Sequence, residues 1–411
     1  MEADTAQHDV DAAGIERAAE LIAGRVRETP MLPAGELSRR AGGPVVLKAE
    51  CLQVTGSFKV RGAFHCMGRL PRPELERGVV AASAGNHAQA VSLAASRLGV
   101  HADLFMPAEA PLAKIAAVRR YGGEVHLVPA SYDEAAEEAQ RYASSHDRVL
   151  VPPFDSPDVV AGQGTVGLEI AARAPDVRLV IVPLGGGSLA AGTAIAIKSR
   201  IPEARVIGVQ AEACAPYLES LAAHRPIGAR SAYTICDGIA VKRPGQITLP
   251  LVERHLDGVV TVSDDEVAEA MVLLLERSKL VVEGAGAVGV AALSTGKVSA
   301  PPDGKTCVVL SGGNVDATLL AECIRLGETA AGRRMVLFTV VPDRPGALAA
   351  LLRVVAERGA NVVDVEHIRE GVELHVRETA IQLVLQTDGA EHSEQVLEAV
   401  RDHGFDARRQ R

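Results

Sequence analysis

Between about Pro44 and Leu310, short β-branched runs alternate with Ala-rich stretches, and this alternation constrains the fold more than any other feature of the chain. The spacing predicts strands at Val45–Leu47, Ala102–Phe105, Val125–Val128, Val149–Val151, Leu179–Val182, Arg205–Val209, Val259–Val262 and Thr306–Leu310. Several are almost wholly apolar, as strands of a parallel sheet covered on both faces must be. Stretches between them, such as Asn86–Arg97, Pro111–Tyr121 and Asp264–Ser278, are long enough to be crossover helices. The expected class is α/β with mainly parallel sheets. Leu179–Ile197 carries no charge and is long enough to imitate a membrane span. Pro183 and the triplet Gly185, Gly186, Gly187 interrupt it, so strand, tight turn and helix is the expectation, with no membrane partner.

The pattern changes after the polar connector Gly327–Arg334. Val336–Val341 reads as a strand, Pro342–Gly346 as a turn and Ala347–Glu357 as a helix. Strands at Val362–Ile368 and Val372–Leu385 and a helix at Ser393–Val400 follow. The order βαββα, with little room for a last strand, describes a separate α+β module over residues 335–411 behind a body of residues 1–330.

Charge and aromatic content exclude one class of partner. Lys plus Arg number 43 against 52 Asp plus Glu, the net charge is -9, and aromatics are 3% with no Trp. Nucleic-acid binding needs the basic surface and stacking rings that are lacking here, so a small-molecule partner is expected. Six scattered cysteines without a C-x-x-C pair read as reduced thiols of a cytoplasmic protein. The acidic start (Glu2, Asp4, Asp9, Asp11) has no apolar run of the signal-peptide kind.

Four turns carry possible chemistry. Gly185-Gly186-Gly187-Ser188-Leu189 follows a strand and opens a helix, where close backbone N–H groups and the helix dipole suit a phosphate; taken alone, an empty tight turn fits as well. Gly284–Gly289 matches G-x-G-x-x-G, but the next strand ends in Ser311-Gly312-Gly313-Asn314 and lacks the ribose-binding carboxylate, so a dinucleotide is rejected. Lys59, in Ser57-Phe58-Lys59-Val60-Arg61-Gly62-Ala63, would by itself pass for a surface charge. Ser83-Ala84-Gly85-Asn86-His87 would pass for a helix cap. Paired Cys/His zinc spacing and H-E-x-x-H are absent.

In this order, SFKVRGA, SAGNHAQA, GGGSLAAG and SGGN resemble the fold-type-II pyridoxal-phosphate enzymes, the tryptophan-synthase β-like family, and are closest to its threonine ammonia-lyase branch. The resemblance covers about Ile15–Ala330, and the tail with Asp343-Arg344-Pro345-Gly346 resembles a single ACT domain. It implies a two-lobed body, with a smaller lobe of about 51–149 inserted in the larger, and pyridoxal 5'-phosphate as cofactor. Lys59 would bond the cofactor aldehyde and act as general base, Phe58 would pack on the ring, and Asn86 would meet the ring hydroxyl. Gly185, Gly186, Gly187, Ser188 and Leu189 would cradle the phosphate, and Ser311 would face the pyridine nitrogen. Ser83, Ala84, Gly85, Asn86 and His87 would hold the substrate carboxylate, with Gly238 and Glu283 lining the site. The implied reaction is deamination of L-threonine to 2-oxobutanoate, with L-serine to pyruvate as a side activity, in a homo-oligomer.

Ala84 stands where racemases carry a second Ser, which favours elimination over racemisation. Gln210–Pro216 departs from the acidic pattern with which some relatives bind a cation, so no metal is expected. Asp343, Gly346 and Asn361 would contact an amino-acid effector such as isoleucine or valine; the module would otherwise serve only to join subunits. The alternatives are a serine dehydratase or racemase of the same fold, and a non-catalytic amino-acid sensor.

Overall fold

The structure, a computed structural model, describes residues 10–129 and 131–410. The acidic residues Glu2, Asp4 and Asp9 lie outside the described residues. Contacts divide the chain into Met1–Asp316 and Ala317–Arg411. The division falls ahead of the polar connector, because the helix Ala317–Ala330 groups with the second unit.

The strands of the first unit are β1 Met31–Pro33, β2 Val45–Ala49, β3 Val79–Ala82, β4 Ala102–Pro107, β5 Glu124–Val128, β6 Val149–Leu150, β7 Val177–Pro183, β8 Arg205–Ala211, β9 Gly258–Val262 and β10 Lys305–Leu310. They form a six-stranded sheet in the order β1-β2-β10-β7-β8-β9 and a four-stranded sheet in the order β5-β4-β3-β6. Among the described residues of this unit, strands pair in parallel except β1 with β2. β1 and β3 escape the sequence pattern: the first is very short, and Val79–Ala82 is a four-residue run whose two Ala blend with the Ala-rich stretches. The four-stranded sheet comes from residues between β2 and the helix Pro157–Arg173, so one lobe is inserted in the other.

Helices cover both sheets. Val180, Val182, Val206, Cys307 and Val309 bury against the helices Pro157–Arg173 and Ser188–Arg200, and Val79, Ala81 and Leu104 against Lys59–Arg69 and Asn86–Leu98. Small side chains let these helices lie close to their neighbours, which explains a core built with so few aromatics. Ser131 with Glu134 and Ser263 with Glu266 form capping boxes that start the helices Tyr132–Ser145 and Asp264–Leu273. The uncharged segment at Leu179 is resolved as β7, the glycine turn and Ser188–Arg200; among the described residues no helix is long and apolar enough to cross a membrane. All six cysteines are buried thiols.

The second unit adds β11 Arg334–Pro342, β12 Asn361–Ile368, β13 Glu378–Gln386 and β14 Ala407–Gln410, an antiparallel sheet in the order β12-β13-β11-β14. Two expectations are corrected. β13 begins at Glu378 rather than Val372, because residues 372–377 make an exposed turn-rich stretch. A last strand does exist: four residues suffice for β14 to pair with Val336–Thr339, giving βαββαβ.

Candidate active site

The site lies where parallel strands of both sheets end, the usual place for ligands in α/β folds. β7 runs into the Gly185–Gly187 turn, β10 into Ser311, and β3 into Ser83. The segment before Lys59 is fastened to the end of β10: Ser57 bridges Gly312, and the Phe58 N–H donates to the Ser311 carbonyl at 3.0 Å. Lys59 therefore opens its helix facing the gap between lobes.

Lys59 Nζ donates to the Pro153 carbonyl at 2.8 Å and lies 5.3 Å from the centre of the Phe58 ring. The gap it faces is walled by protein, and removal from bulk water brings its pKa down to about 8, against the pull of Glu283. Two residues on, Arg61 is fully buried, donating to Glu50 through Nε and Nη2 at 2.8 Å and to Glu169 at 2.6 and 2.9 Å. Lys48 also pairs with Glu169.

Asn86, the first residue of its helix, donates through Nδ2 to Glu283 Oε1 at 2.8 Å and accepts from Asn314 Nδ2 at 2.8 Å. Glu283 is 3% exposed. Its burial, with Asp237 nearby, pushes its carboxyl up to about 7. A Cβ on Gly238 would lie 3.3 Å from Glu283 Oε1, so those two candidates are neighbours. Asn314 was visible in the SGGN motif without a role; its part in this chain of hydrogen bonds depends on a contact across 228 positions.

The phosphate-type turn is closely packed. A Cβ on Gly186 would meet the Phe154 ring at 2.2 Å, and Gly187, at φ +96, would strike the Tyr217 hydroxyl at 2.2 Å. Ser188 and Leu189 begin the following helix, whose first N–H groups have no intrahelical acceptor. Ser311 is buried, and its hydroxyl reaches only the Ala285 carbonyl, at 3.4 Å. A buried amine of lowered basicity, an N–H-rich turn of obligatory glycines and a neutral hydroxyl together fit pyridoxal phosphate. By contrast, Gly284–Gly289 opens a helix that follows no strand, and Gly289 packs on Val308 and Ile181.

A cavity of about 560 Å³ has Lys59, Ser83, Ala84, Gly85, Asn86, His87 and Gly238 in its wall. Phe58, Glu283, Ser311 and the glycine turn are not in that wall; Phe154, which is, packs on Gly186. Ser83 Oγ accepts from Gly85 N–H at 3.0 Å. His87 Nε2 lies 2.9 Å from the Val151 carbonyl, and burial together with the Lys59 charge takes its pKa to about 3; a neutral imidazole therefore donates there. Several wall residues were missed from sequence, two of them a charged pair. Lys114, on the helix Leu112–Arg120, pairs with Asp237, and no motif marks either.

Elsewhere, Gln210 donates through Nε2 to the Leu184 carbonyl at 3.2 Å and accepts from the Tyr217 N–H at 3.0 Å. His101, Asp103 and Glu124 bring ligating atoms together, but Asp103 already meets His126 at 2.8 Å and pairs with Arg148. In the second unit Asp343 pairs with Arg369 at 2.6 Å and Gly346 caps its helix at φ +87. Asn361 does not join them within one copy. It pairs with Gln386 opposite Arg334, whereas Asp343 follows Pro342, the length of β11 away, roughly 27 Å.

Residues 22–312 match the family model of the pyridoxal-phosphate dependent enzyme, and residues 335–402 match the ACT domain. The chain is 45% identical to an L-threonine ammonia-lyase of Thermotoga maritima over 93% of its length and 95% of that protein. Among solved structures, the processed form of threonine deaminase isoform 2 from Solanum lycopersicum matches 79% of this chain and 94% of its own at TM-score 0.72 and 34% identity. A maize serine racemase matches 77% and 97% at TM-score 0.73 and 34% identity.

Proposed function

Because the chain belongs to the pyridoxal-phosphate dependent enzyme family and carries an ACT domain behind the catalytic body, we propose that it is a threonine ammonia-lyase. It converts L-threonine to 2-oxobutanoate and ammonia, and L-serine more weakly to pyruvate. The water lost at the β-carbon is regained on hydrolysis, so the atoms balance. The observation that carries this reading is Lys59: a buried amine with its pKa brought down to about 8, at the wall of a cavity of about 560 Å³.

Pyridoxal phosphate, when bound, supplies an aldehyde for the amine and an electron-accepting ring that acidifies the α-C–H bond. Gly185, Gly186, Gly187, Ser188 and Leu189 would hold its phosphate, Phe58 its ring face, Asn86 its hydroxyl, and Ser311 its ring nitrogen. A neutral hydroxyl at that nitrogen does not favour a proton there, which suits prompt loss of a β-substituent. Lys59, its basicity lowered by burial, takes the α-proton as general base. The backbone of Ser83–His87 orients the substrate carboxylate, fixing the direction of the C–H bond. Ala84 faces the cavity without a hydroxyl, so a second proton carrier, as racemisation requires, is lacking at that position.

The ACT unit senses an amino acid such as isoleucine or valine and modulates the body, within a cytoplasmic homo-oligomer. The separation of Asn361 from Asp343 by the length of β11 supports a site completed by a second copy over one closed within a single copy. Keto-acid release from L-threonine and L-serine by purified holoenzyme tests the assignment. D-serine formed faster than keto acid would replace it with the racemase, and absence of both would leave the sensor. Titrating turnover and thermal midpoint with isoleucine and valine tests the regulatory part; no response would reduce the ACT unit to a subunit connector.

A further inference from the structure

Lys114 and Asp237 have unequal surroundings. The Lys114 side chain is 13% exposed while its partner Asp237 is 57% exposed, and both belong to the cavity wall. Lys114 lies over the turn expected to take the substrate carboxylate: a Cβ on Gly85 would come within 3.2 Å of its Cδ and 3.5 Å of its Nζ. Asp237 precedes Gly238, which packs against Ala285 and Glu283 on the opposite lobe. The pair thus crosses the cavity between lobes, with the ammonium on one wall and the carboxylate on the other. A second bridge, Lys242 to Asp133 at 2.8 Å, spans the same gap, but between half-exposed groups.

A carboxylate already rests on the cation that overlies the Ser83–His87 turn, and an α-amino-acid substrate brings another. We propose that the substrate carboxylate takes the place of Asp237 on Lys114, so that Lys114 is the cationic half of the carboxylate site and Asp237 its occupant between turnovers. Two anions compete for one ammonium, and the half-buried Lys114 keeps the one it binds better while the exposed Asp237 can turn to solvent. The exchange therefore releases the Asp237–Ile239 turn from the small lobe as substrate enters. Charged hydrogen bonds and complementary geometry make the new pair at least as good as the old one, because the substrate also gains the backbone donors of the turn. Lys114 is a binding residue here, separate from the proton transfer at Lys59.

The inference rests on the lyase reading, and its test keeps the two apart. The probe is 3-hydroxybutanoate, which carries the carboxylate and hydroxyl of threonine but no amine, and its binding to holoenzyme is measured by calorimetry. Lys114→Gln should weaken it by about ten- to hundredfold, the range of a lost charged hydrogen bond. Asp237→Asn should tighten it by about two- to fivefold, by removing the competitor. Lys114→Arg should restore much of the loss. KM for L-threonine should follow the same opposite signs with kcat changing far less. If the two neutral variants shift binding in the same direction, the bridge is merely structural and the proposal falls; so it does if neither shifts it. Thermal midpoints and cofactor absorbance of each variant identify those that misfold, and in that case Lys114→Met and Asp237→Ser carry the same comparison. Absence of keto acid from the parent enzyme would instead overturn the lyase reading, whatever the calorimetry gives.

Discussion

Lys59 and Arg61 sit two positions apart on one helix, both surrounded by protein, and meet opposite fates. Arg61 is held between Glu50 and Glu169 with its donors filled, and those carboxylates keep it charged. Glu50, buried with it, is drawn below the usual carboxylate range: burial raises it, and Arg61 more than reverses that. Lys59 has a carbonyl partner in place of a carboxylate, so burial dominates and its proton is loosely held. A buried charge with its partners fixes structure; a buried charge without them is chemically available. The first holds the helix so that the second is presented at a defined place.

The largest effect that distinguishes them should come from Lys59→Ala. Turnover should fall by at least about 10²–10⁴-fold, the range for a lost general base, while the cofactor-free protein keeps its thermal midpoint or gains on it. Retained turnover would break the comparison at its first term.

Arg61→Met should do the reverse. It leaves Glu50 buried without its cation and Glu169 with Lys48 alone, which costs about 3–5 kcal/mol and lowers the thermal midpoint by about 10 °C. A scan showing no shift would mean that Lys48 alone neutralises the cluster.

In cofactor-free protein, Lys59→Met should stabilise. The folded pKa of about 8 lies below the ordinary 10.5, so the parent's stability from this group is present above the upper value and lost as pH falls through the lower. Denaturant midpoints at pH 7 should favour the variant, and that advantage should shrink toward pH 10.

Glu283→Gln should give the smallest change and the opposite slope. The folded pKa of about 7 lies above the ordinary 4.5, so the carboxyl's contribution is full below the lower value and lost as pH rises through the upper. The variant should therefore gain on the parent between those limits when unfolding is followed against pH. Parallel curves would remove Glu283 from the set of poised groups.

Much of this was legible in the chain. Crossover helices and apolar strands are local signals, and Ala347–Glu357 is found at the bounds its pattern predicts. β3 and β14 were missed because one is half Ala and both are only four residues long, so their pairing defines them. Phe58, Lys59, the Ser83–His87 turn and the glycine turn were candidates because four motifs in that order resemble one family, although each alone fits a blander reading. Lys114 and Asn314 were not given roles, since a lone Lys or Asn acquires one only from what approaches it across the fold.

By itself the sequence determined the α/β class, the small α+β module, and which short segments carry an amine, N–H-rich turns and a neutral hydroxyl. Tertiary structure alone decided which charges are buried with partners and which without. Local patterns record backbone preference and polarity. Desolvation and Coulomb attraction, by contrast, depend on neighbours brought from distant parts of the chain: Glu169 to Arg61, Asn86 to Glu283, and Asp237 to Lys114.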